Sequence, residues 1–201
     1  MASNLGSHEV MQLHEVLTDA IDGINQFELY RPHVKDQQLG SILDKQIQFM
    51  NQEYNSMVQA LNERGVQESI PYRAPKRTQP KYGLHNPQSQ SPNTSAQEMD
   101  DRDVASGMLG CQKSSAILKT MASLECADHN LRSAIQQGSK NCNEMAYETW
   151  QYMNQNGYYQ VPTMKQQTTN TVAHSYSTTQ SGITGQNNFD RQEFGVPAFT
   201  M

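Results

Sequence analysis

Leu39–Gly65 reads LGSILDKQIQFMNQEYNSMVQALNERG, and Leu131–Gly157 reads LRSAIQQGSKNCNEMAYETWQYMNQNG. Both stretches have the same length, and their apolar residues recur at steps of three and four, which is the spacing of one helix face. The chain therefore reads as one helical segment used twice. The identical aligned pairs are Leu39/Leu131, Ser41/Ser133, Asn51/Asn143, Gln59/Gln151, Asn62/Asn154 and Gly65/Gly157.

A further helix-like segment precedes each of these stretches. Pro32 ends the first such segment, because proline disfavours helical geometry in the residue before it. The four segments predict an all-α fold, a four-helix bundle of two antiparallel hairpins with a long crossover between helices two and three. The predicted core stripes are Leu39, Leu43, Gln46, Met50, Glu53 and Met57 on helix two, Val104, Met108, Cys111, Ser115, Leu118 and Ala122 on helix three, and Leu131, Ile135, Gly138, Cys142, Met145 and Thr149 on helix four.

The pattern divides the chain into four regions. Residues 7–65 form the first hairpin, 66–99 a Pro-rich crossover loop, 100–157 the second hairpin and 158–201 an irregular Gln/Asn/Thr-rich tail. A loop as long as the crossover is uncommon inside a domain, and a connection that runs the length of the bundle explains it. The tail also resembles polar and aromatic segments that pair as β-structure when many copies meet.

Composition excludes several classes of function. Hydrophobic residues make up 35% of the 201 residues, and charged residues only 17%, with a net charge of -5. This balance gives no basic field for nucleic acid, and no window is apolar enough to span a membrane. Neither nucleic acid nor membrane is therefore expected as a partner. The start of the chain lacks a secretory signal, so we expect synthesis in a cytosol. A surface rich in uncharged amides also favours assembly.

The second hairpin contains several distinctive short motifs. They are DRDVA at Asp101–Ala105, LGCQK at Leu109–Lys113, NLR at Asn130–Arg132, NEMAYETWQYM at Asn143–Met153 and NGYY at Asn156–Tyr159. In these motifs the second hairpin resembles the spore coat protein F family of endospore-forming bacteria. The likeness is nearly continuous from about Gln97 to Met164 and does not extend past Lys165, and the first hairpin resembles the same module more weakly.

This resemblance implies a ferritin-like helical bundle and a structural role in or around the spore, without catalytic residues. A ferritin-like bundle raises the question of a di-iron centre, which needs inward-facing Glu residues and Glu-x-x-His motifs. Here Glu125 and His129 are four positions apart across a turn, and Glu53 stands alone on its stripe. We therefore expect no metal ligands, no cofactor and no catalytic residues.

The cysteines are candidates for cross-links. Cys111 and Cys142 lie on predicted core stripes at nearly equal distances from the turn at Cys126, so an antiparallel hairpin would bring them face to face. They form either a disulfide or two small buried hydrophobes. Cys126, at the end of the hairpin, is better placed for a link between subunits.

Aromatic residues supply candidate assembly contacts, either as interface anchors or as packing groups. These candidates are Trp150, Tyr158, Tyr159, Phe189, Phe194 and Phe199.

A basic stretch with interleaved aromatic residues runs from Tyr72 to Tyr82 in the crossover. Such a stretch either binds phosphates or forms a linker whose charges face solvent or an acidic neighbour. We favour the linker.

The leading hypothesis is a non-enzymatic structural protein that self-assembles into a layer or filament as a homo-oligomer or with other spore coat proteins. The family resemblance places its synthesis in the mother-cell cytoplasm and its deposition on the spore coat or spore surface. A ferritin-like metal-binding or redox bundle is the alternative, and an adaptor that recruits coat proteins without polymerising is a further one.

Overall fold

The computed structural model of the chain describes residues 5–62, 69–75 and 78–178. In these ranges the prediction of an all-helical chain is confirmed, and the β-pairing is limited to isolated bridges from Tyr82 and Gly83 to Val161. Short 3-10 turns lie at Arg31–His33 and Ala96–Glu98. The helices are α1 (Ser7–Tyr30), α2 (Gln37–Leu61), α3 (Asp101–Leu124), α4 (His129–Gln155) and α5 (Gln166–Ala173).

The four long helices pack around a common interior. Helix α1 packs against α2 and α3, and α4 packs against the same two helices, most extensively against α3. At one end, the Asp101 carboxylate accepts the backbone N–H groups of Lys35 (2.7 Å) and Asp36 (3.1 Å), and Tyr152 Oη donates to Asp36 (2.9 Å). Helices α2 and α3 both begin at this end. The crossover that joins them must therefore run back from the far end of α2 to the start of α3.

Acidic caps fix where the helices begin. The Asp36 carboxylate accepts from Gln38 N–H, and the Asp128 carboxylate accepts from Leu131 N–H. The Asp100 carboxylate accepts backbone N–H groups of the first turn of α3. The Asp103 carboxylate in turn accepts the backbone N–H of Asp100, which completes a capping box. Each cap satisfies N–H groups that have no partner within the helix.

The core stripes predicted for α2 and α4 are buried along their whole length. The stripe predicted for α3 is wrong in phase at two positions, because Cys111 and Leu118 are only half-buried while Gln112 and Lys119 are buried. These two polar side chains face Gln46, Met50 and Glu53 of α2, which give them hydrogen-bond partners. A buried polar group is tolerated when it is bonded in this way.

The region after 158 is not irregular throughout, contrary to the sequence prediction. Helix α5 has its own hydrogen bonds one turn apart, from Gln166 Nε2 to Asn170 Oδ1 (2.9 Å) and from Thr171 Oγ1 to the Gln167 carbonyl (2.9 Å). Local side-chain hydrogen bonds of this kind can support a short helix that does not pack an apolar face.

Two glycines of α3 give a test of helix packing. A Cβ built on Gly107 would lie 2.6 Å from Tyr30 Cζ, whereas one built on Gly110 would meet nothing within 4 Å. We expect Gly107→Ala to lower the free energy of unfolding by about 1–3 kcal/mol, because the Tyr30 ring must move. Gly110→Ala is expected to raise it by about 0.5–1 kcal/mol. Urea unfolding of both variants checks the contrast, and equal effects would contradict the close contact.

Glu9 ties the start of α1 to the turn between α3 and α4. Its carboxylate accepts the backbone N–H of Asp128 (2.6 Å) and of Gly6 (2.5 Å), and the residue is 4% exposed. The backbone hydrogen bonds, first that from Asp128 and then that from Gly6, hold the pKa of Glu9 below its ordinary value. Because the folded pKa is lowered, the stabilisation is present above the unfolded pKa and is lost as pH falls through the folded one.

Glu9→Gln is therefore expected to lower the urea midpoint at pH 7, and the difference from wild type should shrink as the solution is acidified below the folded pKa of Glu9. Glu15→Gln, at an exposed position of the same helix, is the matched control and should change the midpoint little at either pH. A deficit of the Glu9 variant that stays constant down to strongly acidic pH would contradict this account.

Candidate functional site

Side-chain amides of α4 bind the backbone of the crossover. Asn141 Oδ1 accepts from Tyr72 N–H (2.9 Å), and Asn141 Nδ2 donates to the Ile70 carbonyl (3.1 Å). Asn154 does the same with Lys81, accepting from its N–H (2.7 Å) and donating to its carbonyl (3.0 Å). An extended segment usually satisfies its backbone N–H and C=O groups by pairing with a neighbouring strand. Here each side-chain amide takes the place of that strand.

The pattern continues on both sides of Asn154. Gln151 Oε1 accepts from Thr78 N–H (2.8 Å), and Gln155 Nε2 donates to the Gln79 carbonyl (2.9 Å). Beyond the helix end, Gln160 exchanges two hydrogen bonds with the His85 backbone, at 2.6 and 3.1 Å. We call these amides the amide seam: Asn141, Gln151, Asn154, Gln155 and Gln160. From Asn141 to Gln160 the partners in the crossover also advance along the sequence, so the loop follows α4 from its middle to past its end.

Tyr72 is the anchor of the crossover and is only 5% exposed. Its ring packs edge-on against Phe49 with centroids 4.9 Å apart, and Lys45 Nζ lies 4.4 Å from the ring centroid. Its hydroxyl donates to Glu148, which also accepts from Lys45 Nζ (3.0 Å). Burial, and then the Glu148 carboxylate, raise the pKa of Tyr72, so the phenol stays protonated.

The basic stretch contacts α4 near both of its ends. Tyr72 is a core residue, and Lys81 Nζ donates to the Gln155 carbonyl (2.6 Å) at the end of α4. The stretch is therefore fastened to α4 at these two points, a role that its composition did not indicate.

A second buried polar cluster lies between α2, α3 and α4. Lys119 Nζ donates to Glu53 Oε2 (2.5 Å) and lies 3.4 Å from Cys142 Sγ, while Glu53 Oε1 accepts from Asn141 Nδ2 (2.8 Å). The exposed fractions are 4% for Lys119, 8% for Glu53, and 1% for both Asn141 and Cys142. Gly138 makes room for this cluster, since a Cβ there would lie 3.3 Å from Lys119 Cδ and 3.4 Å from Glu53 Oε1.

Burial determines the charges in this cluster. It raises the pKa of the Cys142 thiol to about 11 despite the nearby ammonium, so the sulfur stays protonated at neutral pH. Burial by itself lowers the pKa of Lys119, but the Glu53 carboxylate and, at high pH where it ionises, the Cys142 thiolate together act more strongly, so the net direction is upward. At neutral pH the pair therefore consists of an ammonium and a carboxylate shielded from water.

The three cysteines are free thiols with different surroundings. Cys142 faces Lys119, whereas Cys111 is half-buried against α1, where a Cβ on Gly23 would lie 3.2 Å from its sulfur. Cys126 is 5% exposed, and its thiol donates to the Ala122 carbonyl (3.3 Å). A Cys111–Cys142 disulfide and a link between subunits through Cys126 both stay predictions, and the second needs Cys126 to become accessible.

Three of the predicted assembly residues lie in two sets of ring contacts at the end of the second hairpin. Trp150 stacks on Tyr147 (centroids 5.4 Å apart) and meets Tyr159 edge-on (6.3 Å), while Tyr158 packs separately against Tyr152 (6.1 Å). Tyr159 is 40% exposed, so the aromatic group around Trp150 reaches the surface. The predicted contacts Phe189, Phe194 and Phe199 lie outside the described residues.

A cleft of about 250 Å³ lies between α2, α4 and the crossover, but its charged groups, Lys45 and Glu148, already bond to each other. Among the described residues, no His, Cys, Asp and Glu side chains group as they would around a metal ion. In the same ranges, no helix is long and apolar enough to cross a lipid bilayer.

Comparison with known proteins gives a consistent result. The Coat F domain matches residues 100–162, which include α3, α4 and the whole amide seam. The chain is similar to the spore coat protein F-like protein YhcQ of Bacillus subtilis (strain 168), with 33% identity over 177 residues that cover 87% of this chain and 82% of the relative. No solved structure matches the chain.

Proposed function

This chain belongs to the Coat F family, and from that premise we propose that it is a non-enzymatic structural protein of the bacterial spore coat. The observation that carries the proposal is the similarity to a spore coat protein F-like relative along most of both chains. We further propose synthesis in the mother-cell cytoplasm and deposition on the spore coat or spore surface.

The proposed subunit is a ferritin-like four-helix bundle of two hairpins, residues 7–65 and 100–157, joined by the crossover 66–99 and followed by the tail 158–201. The amide seam supports this organisation, because it gives the crossover a defined course along α4. A loop held at so many backbone positions suits a subunit that must present constant surfaces to neighbours.

We propose that the subunit assembles, with itself as a homo-oligomer or filament and with other coat proteins. The aromatic group around Trp150 and Tyr159 supports a contact surface, since tryptophan and tyrosine are enriched at the centres of interfaces. The tail is the second proposed contact, because its composition favours pairing between copies.

Assembly is tested by negative-stain microscopy and sedimentation of the purified full-length chain. We expect filaments, sheets or lattices, reduced by Tyr159→Ala and by deletion of residues 165–201. Tyr82→Ala, at a 63% exposed position of the crossover, is the matched control and should assemble normally. A strictly monomeric protein at high concentration that also recruits no partner from spore extract would contradict the assembly proposal.

The same preparations separate the other functions. An adaptor would stay monomeric and still bind coat proteins. A ferritin-like metal or redox bundle would carry stoichiometric iron or manganese in elemental analysis. We keep it as the alternative, although no residue grouping within the described ranges favours it.

A further inference from the structure

We propose that Lys119 and Asn141 form an intramolecular isopeptide bond that joins α3 to α4, with Glu53 of α2 as the acid–base group. Such a bond requires an amine, a carboxamide and a proton carrier, held together away from water. The buried cluster supplies all three groups from three different helices.

One carboxylate holds both reacting groups. Glu53 Oε2 accepts from Lys119 Nζ (2.5 Å), and Glu53 Oε1 accepts from Asn141 Nδ2 (2.8 Å). Because the two oxygens belong to the same carboxylate, one side chain fixes the positions of both the amine and the amide. Holding reactants in this way replaces an encounter in solution with an effective concentration of about 10⁵ M or more in well-oriented cases.

The resting pair is an ammonium and a carboxylate, and the dry surroundings reduce the cost of forming the neutral amine from it. Lys119, Glu53 and Asn141 are at most 8% exposed. Low polarity disfavours the separated charges of an ammonium and a carboxylate, and the proton that must move lies on the 2.5 Å hydrogen bond between them. Its transfer from Nζ to Oε2 gives a neutral amine, which is the nucleophilic form of lysine.

The carbonyl of Asn141 is prepared for attack. Its Oδ1 accepts from the backbone N–H of Tyr72 (2.9 Å) and from Gln137 Nε2 (2.9 Å). Two donors on one carbonyl oxygen polarise the carbon and stabilise the negative charge that develops on the oxygen during addition. The crossover thereby contributes to the reaction as well as to packing.

The proposed steps balance in atoms and protons. Glu53 takes a proton from Lys119, and the neutral Nζ then adds to Asn141 Cγ to give a tetrahedral intermediate with the charge on Oδ1. Glu53 delivers its proton to Nδ2 as the Cγ–Nδ2 bond breaks, and it takes up the proton that the new amide nitrogen sheds. The products are a neutral amide, ammonia and protonated Glu53, and no oxidant is consumed.

Intact-mass spectrometry of the full-length purified protein tests the proposal. The expected mass is lower than that of the sequence by one ammonia molecule. After trypsin, residues 114–132 should stay joined to residues 141–165, with no cleavage after Lys119. An intact mass equal to that of the sequence, in protein that is folded by circular dichroism, would overturn the proposal.

Variants separate this bond from other losses of ammonia. Lys119→Met and Glu53→Gln should keep the full mass of their sequences, whereas Lys140→Met, at an exposed position of α4, should still lose ammonia. An ammonia loss that persists in Lys119→Met would mean asparagine cyclisation instead and would also overturn the proposal.

Asn141→Asp, which replaces the Nδ2 donor to Glu53 by an oxygen, provides a check with a different leaving group. An aspartate loses water when it joins to lysine, so its cross-linked product is identical to that of wild type. We therefore expect the two mature proteins to have the same mass. A mature Asn141→Asp protein with the full mass of its own sequence would count against Lys119 as the nucleophile.

Discussion

Lys119→Met is expected to lower the free energy of unfolding by at least about 3–5 kcal/mol, because the variant buries the Glu53 carboxylate without a cation and also loses the proposed bond to Asn141. Lys119 and Glu53 are both more than nine-tenths buried, and before that bond forms their ion pair crosses from α3 to α2. The loss of stability arises mainly from the unpaired buried charge of Glu53, since the methionine side chain itself fits an apolar interior.

The double variant Glu53→Gln/Lys119→Met tests that explanation. It removes both charges and keeps an oxygen that can accept from Asn141, so about 1–4 kcal/mol of the loss should be recovered. Neither variant contains Lys119, so the comparison is independent of any bond from that lysine. Urea unfolding gives the three values, and Lys140→Met should stay within about 0.5 kcal/mol of wild type as the surface control. A double variant less stable than Lys119→Met would show that the ion pair was not the source of the loss.

Tyr72→Ala is expected to lower the free energy of unfolding by about 3–5 kcal/mol, the usual range for removing a buried aromatic side chain. The change removes the contact with Phe49 and leaves Glu148 without its hydroxyl donor. The crossover loses its anchor beside Asn141, so we also expect faster proteolysis within residues 69–85.

Tyr72→Phe divides this effect into its parts. It keeps the ring and removes only the hydroxyl, so a loss of about 1–3 kcal/mol is expected. Tyr82→Ala changes an exposed ring in the same loop and should alter stability by about 0.5 kcal/mol at most. If Tyr72→Ala behaved like Tyr82→Ala in urea unfolding and proteolysis, the crossover would not be anchored as described.

The helices and their inner faces could be read from the sequence because those signals are local. The stripes of α2 and α4 repeat at three- and four-residue steps, and both are buried as predicted. On α3 the same reasoning preferred Cys111 and Leu118 to Gln112 and Lys119. Apolar periodicity favours residues that need no partner, and the partners of Gln112 and Lys119 lie on α2, far away in the sequence.

The buried cluster and the amide seam could not be read in this way. Glu53 lies on the predicted stripe of α2, but nothing near it in the sequence identifies Lys119 as its partner. Gln151 and Asn154 are identical to their aligned counterparts Gln59 and Asn62, but this identity does not reveal the extended backbone that they bind. An asparagine or glutamine can be assigned the role of binding another segment's backbone only when that segment is known. The informative signal was indirect: an amide-rich helix next to a long Pro-rich loop.

Location on the spore tests the central claim most directly. Antibodies against the purified chain can be used for immunogold labelling of thin-sectioned spores of the organism that encodes it, with a deletion strain as the control. The account predicts gold particles concentrated in the coat or on the spore surface and absent from the deletion strain. Labelling confined to the spore core, or to the cytoplasm of cells that do not sporulate, would contradict a structural role in the spore coat.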